Sequence, residues 1–170
     1  ICLLMIDIDH FKSVNDTRGH MAGDQALQAL SEAIKSQVRR EATDTRETDI
    51  VGRLGGDEFV CVFPETDEPG AEKVANRILE NFREASGGLT FSGGVAFWVP
   101  DDKPDRLISK ADQAMYFAKG EGGGRIRTWK PEMEETAPVR KREFTERAGG
   151  AVMPSMRAGV KRGGRTAVMT

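Results

Sequence analysis

Two glycines followed by two acids, Gly55-Gly56-Asp57-Glu58, stand between two short runs of strand-forming residues, and nothing else in the chain constrains its fold so tightly. Ile50 to Leu54 reads as one strand and Phe59 to Phe63 as its antiparallel partner, because Gly55 and Gly56 supply the positive φ that a tight hairpin turn needs. The tip of that hairpin then carries two adjacent carboxylates, Asp57 and Glu58. Glycine and aspartate are ordinary turn residues too. The stretch therefore predicts a hairpin by itself, and a site at its tip only in the company of the rest of the chain.

At 170 residues, with 31% charged and 38% hydrophobic side chains, the chain has the composition of one globular domain with a sizeable core. No apolar run approaches the ~20 residues that span a bilayer. A net charge of -2 argues against a surface built to bind duplex nucleic acid. Cys2 and Cys61 both fall inside apolar, strand-like runs, which reads as two buried, reduced thiols of a cytoplasmic protein.

The chain opens abruptly on Ile1-Cys2-Leu3-Leu4-Met5-Ile6, a run apolar throughout, as expected of a central strand covered on both faces, and of a fragment with its upstream part missing. It ends in Asp7-Ile8-Asp9. With a period of two, Asp7 and Asp9 share a face at the carboxyl end of the strand, where charge is unfavourable unless paired or bound to a cation.

From His10 to His20 the sequence is polar and turn-rich and predicts a short helix and a loop. Apolar residues at Ala26, Leu27, Leu30, Ala33, Ile34 and Val38 then mark an amphipathic helix from Asp24 to about Arg40. After a polar loop come the hairpin, a second amphipathic helix on Ala71, Val74, Ala75, Ile78, Leu79 and Phe82, a strand over Leu89 to Val99, and a helix on Leu107, Ile108, Ala111, Ala114, Met115 and Ala118. The order is βαββαβ plus a further helix: an α+β, ferredoxin-like sheet with helices on one face. In such a sheet the first strand lies beside the hairpin, so Asp7 and Asp9 are expected to approach Asp57 and Glu58. Converging carboxylates repel one another unless divalent cations sit among them, and hard oxygen donors suit Mg²⁺ shared with a substrate phosphate. The pattern points to two-metal phosphoryl transfer on a nucleotide. His20 has no second histidine at ligand spacing, which argues against zinc. Asn15 and Asp24 carry the groups that can pair with a purine edge, though turns and caps use the same residues.

Several long motifs in order carry a family resemblance: Asp7-Ile8-Asp9-His10-Phe11-Lys12, Asn15-Asp16-Thr17-Arg18-Gly19-His20, Gly23-Asp24, Gly55-Gly56-Asp57-Glu58-Phe59, Ser92-Gly93-Gly94-Val95-Ala96 and Ala111-Asp112-Gln113-Ala114-Met115-Tyr116-Phe117-Ala118-Lys119. From Leu3 through Lys119 the chain resembles the GGDEF domain of bacterial diguanylate cyclases, related in architecture to nucleotide cyclases and the polymerase palm. The resemblance implies a homodimer in which each domain binds one GTP and the two are condensed into cyclic di-GMP and two pyrophosphates. It implies that Asp7, the carbonyl of Ile8 and Asp57 hold Mg²⁺, or Mn²⁺ in its place, supported by Glu58. Asp57 would accept the proton of the attacking 3′-hydroxyl. Lys12 and Lys119 would offset phosphate charge, Gly55 and Gly56 would border the substrate, Asn15 and Asp24 would read guanine, and His20 would line the nucleoside pocket. Arg46-Glu47-Thr48-Asp49 matches the RxxD motif through which members bind cyclic di-GMP as an inhibitor, with Arg46 and Asp49 as its contacts.

Two departures stand out. The segment Lys119-Gly120-Glu121-Gly122-Gly123-Gly124-Arg125 is longer than the family's usual link between a lysine and a phosphate-contacting arginine, and Ile126 follows where asparagine is usual. The upstream helix is absent from the sequence, as is any sensor domain, which implies a longer protein, cytoplasmic in this part and anchored to a membrane in some arrangements. Residues 1–129 are expected to form the domain. Residues 130–170, basic and without acids from Ala148 onward, are expected to form a disordered tail. A second reading is a module that has lost catalysis and senses cyclic di-GMP through Arg46 and Asp49.

Overall fold

The computed structural model describes residues 1–39 and 48–134. Arg46 lies outside the described residues, as do residues 135–170 of the tail expected over 130–170, while the start of that stretch carries a short 3-10 helix at Pro131–Met133. In chain order the elements are β1 (Cys2–Ile8), α1 (Phe11–Arg18), α2 (His20–Lys35), β2 (Ile50–Gly55), β3 (Glu58–Phe63), α3 (Glu68–Ala85), β4 (Phe91–Phe97), α4 (Pro104–Gly120) and β5 (Ile126–Thr128). The sheet runs β2-β3-β1-β4-β5. Its first four strands are antiparallel neighbours in the ferredoxin-like order, and β5 is added parallel to β4.

β1 is central and every one of its residues is buried, which is why its sequence shows no alternation. Cys2, Leu4, Ile6 and Ile8 face a core with Leu30, Ile34, Ile78 and Phe82 of α2 and α3. Leu3 and Met5 face a second core with Leu107, Ala111 and Met115 of α4. The expectation of helices on one face is thus corrected: α4 covers the opposite face, since a strand apolar on both sides needs cover on both. Both cysteines are free, and burial pushes their thiols up to about 12.

Helix boundaries moved as well. Gly19, at φ 82°, ends α1 and starts α2, so α2 begins at His20 rather than Asp24. Met21 in its first turn is exposed and so lies off the buried apolar stripe that begins at Ala26. The helix stops at Lys35 rather than near Arg40, where Ser36 Oγ donates to the Ala33 carbonyl at 2.7 Å. Val38 still packs on the core, but from a turn. α3 begins on a side-chain cap, Asp67 accepting from the Gly70 amide at 3.0 Å, a contact typically worth about 1 kcal/mol.

Candidate active site

The carboxyl end of β1 and the tip of the β2–β3 hairpin come together through strand pairing. Asp7 stands opposite Glu58 in the β1–β3 register. In the hairpin Gly55 pairs with Glu58, leaving Gly56 (φ 52°) and Asp57 as a two-residue tip, with a bulge between Arg53 and Gly55. Asp7 is 7% exposed. Its carboxylate is met by Lys119 from the last turn of α4, Nζ to Oδ1 at 2.6 Å. Burial holds the Asp7 carboxyl above the usual carboxylate range; Lys119 pulls it back down, and the nearby charges of Asp57 and Glu58 add to the rise. Three acids and one lysine therefore share one end of the sheet, with Ile8, buried, closing β1 beside them.

Among the described residues no three acidic, histidine or cysteine side chains stand as a ready metal cage. Magnesium commonly takes one or two carboxylates and leaves its other positions to water and phosphate oxygens. A desolvated Asp7, with Asp57 and Glu58 near enough to bias its titration, supplies donors of that kind.

Asp9 does not join this cluster, contrary to expectation. It lies past the end of β1 and turns toward β4, where its carboxylate accepts from Ser92 Oγ at 2.6 Å, Thr90 Oγ1 at 2.8 Å and the Gly124 amide at 2.7 Å. A Cβ on Gly123, which sits at φ 72°, would lie 2.9 Å from that carboxylate. Asp9 thus ties β1 and β4 to the Gly-rich loop that leads into β5. With His10, Lys119, Gly122 and Gly123 it lines a cavity of about 320 Å³. Arg125 donates to Glu121 at 3.2 Å and to the Gly123 carbonyl at 3.1 Å, so the longer loop engages this arginine locally. Arg127 also pairs with Glu121.

Arg53 received no role from the sequence, yet it braces the tip. Its Nε donates to the Gly56 carbonyl at 2.9 Å while its guanidinium lies over the Phe59 ring, 5.9 Å from the centroid. An arginine three residues before the second glycine of a turn was the available signal. Arg53 and Phe59 also line a groove of about 680 Å³ between α2 and β2, at whose α2 side stand Asp24 and Leu27. Asn15, on α1, is half-buried and packs on Gly23, the neighbour of Asp24. His20 and Lys12, each in the first turn of its helix, are exposed, as are Gly55 and Gly56.

Of the RxxD pair only Asp49 is among the described residues, and it is engaged. Arg39 donates to it three times: from its amide at 2.7 Å, from Nε at 3.0 Å and from Nη2 at 2.6 Å. This clasp ties the chain after α2 to the start of β2.

A sequence model described as the diguanylate cyclase GGDEF domain matches residues 1–125. Diguanylate cyclase DosC of Escherichia coli K12 is 37% identical over 76% of the chain, and diguanylate cyclase A of Treponema denticola 36% identical over 74%. The matched part spans 28% and 34% of those two proteins. Among solved structures, the GGDEF domain of TpbB (YfiN) from Pseudomonas aeruginosa superposes with a TM-score of 0.68 at 33% identity, covering 79% of each chain. That of DgcB from Caulobacter crescentus, in complex with cyclic di-GMP, gives 0.66 at 28% identity over 75% of this chain and 76% of the other. Motif order, sheet topology and these likenesses agree: the chain belongs to the diguanylate cyclase GGDEF domain family.

Proposed function

We propose that residues 1–129 form a diguanylate cyclase domain that condenses two GTP into cyclic di-GMP and two pyrophosphates, two domains meeting as a homodimer with one GTP each. The convergence of Asp7, Asp57, Glu58 and Lys119 at one end of β1 and β3 carries this reading. The relatives named as diguanylate cyclases support it.

In this reading Asp7, the Ile8 carbonyl and Asp57 hold magnesium, or manganese, with Glu58 in support. The bound ion supplies charge neutralisation on the phosphates. Asp57, on a turn fixed by Arg53, accepts the proton of the 3′-hydroxyl. The 3′-oxygen then bonds to the α-phosphorus of the partner domain's GTP as pyrophosphate leaves, and a second such step closes the ring. Lys119 and Lys12 offset phosphate charge, and Asn15, His20 and Asp24 hold the guanosine. In-line transfer of this kind needs chiefly positioning and electrostatic stabilisation. Arg46 and Asp49 bind the product as an inhibitor. GTP supply places the domain in the cytoplasm, and among the described residues no helix is long and apolar enough to cross a membrane.

Chromatographic conversion of GTP by the full-length protein tests the proposal. Wild type should yield cyclic di-GMP, and Asp57→Asn should lose at least about a hundredfold in rate, the scale of removing a preorganised charged group from such a site, with unchanged thermal unfolding. A wild type that binds cyclic di-GMP but makes none would be the sensor module instead.

A further inference from the structure

Gly23 is a buried residue in the second turn of α2, and what lies over it is the side chain of Asn15 on the neighbouring α1. A Cβ built on Gly23 would stand 2.0 Å from Asn15 Oδ1, 2.9 Å from Asn15 Cγ and 3.2 Å from Phe11 Cζ. A glycine inside a helix costs about 1 kcal/mol relative to alanine. The bare backbone at this position creates the space that the Asn15 amide occupies. The adjoining residue, Asp24, opens onto the groove between α2 and β2.

From this contact we infer that Gly23 is a positioning residue for base selection, setting the orientation of the Asn15 amide before the nucleotide arrives; the inference rests on Asn15 and Asp24 reading guanine. An amide presents a donor and an acceptor at fixed directions, and a carboxylate two acceptors. Guanine and adenine differ in just those groups, so rotating the amide by one rotamer exchanges or removes the match. The atoms that a methyl on Gly23 would displace belong mainly to the free end of Asn15, not to backbone. The fold can therefore accept the methyl by moving Asn15, and the loss falls on base recognition. A substitution that removes a helix glycine would keep or raise stability and still damage selectivity.

The test measures equilibrium binding of 3′-deoxy-GTP and 3′-deoxy-ATP, which cannot condense, to the full chain with magnesium. Wild type should prefer guanine. Gly23→Ala should reduce the guanine-to-adenine preference at least tenfold, bringing it close to that of Asn15→Ala, and the double variant should be no worse than Asn15→Ala alone, as for two changes acting through one group. Thermal unfolding of Gly23→Ala should be unchanged or higher. A preference retained in Gly23→Ala, or losses that add in the double variant, overturns the inference while leaving the guanine reading intact. A wild type with no preference overturns both. Should Gly23→Ala fail to fold, NMR of the nucleotide-free wild type decides: cross-peaks between the Asn15 side-chain amide protons and the Gly23 α-protons are expected, and their absence removes the contact on which the role depends.

Discussion

Asp7 shows at the level of one residue how a site opposes the stability of its own fold. Its carboxyl is raised chiefly by burial, and the approach of Lys119 at 2.6 Å only partly offsets that, with Asp57 and Glu58 working against it. A carboxyl raised in the folded state binds its proton more tightly there than in the unfolded chain. Folding stability is therefore favoured by the protonated form and is lost as pH rises from about 4, the ordinary aspartate value, through the raised folded value. Asp7→Asn removes that loss. In metal-free buffer at pH 7 to 8 the variant should melt above wild type, and the gain should vanish near pH 4. A variant less stable than wild type across that range would mean that Lys119 outweighs the burial cost. Asp7 was legible in the sequence because a charge at the end of an all-apolar strand calls for an explanation. Arg53 was not, because its role depends on the turn folding back to bring the Gly56 carbonyl within 2.9 Å.

Among the elements, the hairpin, the amphipathic helices and the central strand could be read from periodicity and turn chemistry, since each places its signal within a few residues. β5 could not. It has three residues, two of them polar, and it pairs with β4 after a loop that Asp9 ties beside that strand, with Ile126 packed on the core. The period-two pattern put Asp9 with Asp7, but the strand ends at Ile8, so the alternation no longer governs where Asp9 points. Its three accepted hydrogen bonds serve hydroxyls and an amide that would otherwise lose a charged partner, Ser92 being fully buried. Asp9→Ala should cost about 2 to 3 kcal/mol in urea unfolding, the range for hydrogen bonds to a charged group. Amide exchange of Ile126 to Thr128 should also accelerate, and Asp9→Asn should fall between the two chains. Equal urea midpoints for Asp9→Ala and wild type would show that the loop is held by the Glu121 and Arg125 contacts instead.

At the scale of the whole molecule, one domain presents one set of acids, whereas the proposed product needs two new phosphodiester bonds between two nucleotides. If each domain carries a single GTP, the initial rate per mole of chain should rise with chain concentration until the dimer is saturated. Product feedback would act on the same association. Cyclic di-GMP bound through Arg46 and Asp49 would stop turnover by favouring an arrangement of domains in which the GTP sites are apart, which demands tighter binding to that arrangement than to the productive one. Asp49 is a poor residue to probe, because the Arg39 clasp would be lost with it and β2 would lose its anchor. Arg46 is the better choice. Arg46→Ala should keep the concentration dependence and the uninhibited rate within about twofold of wild type, while the inhibition by micromolar cyclic di-GMP, expected in wild type, disappears. Persistent inhibition in Arg46→Ala would place the regulatory contact elsewhere. A rate per chain that stays flat over a hundredfold dilution would remove the requirement for two domains to meet during the assay.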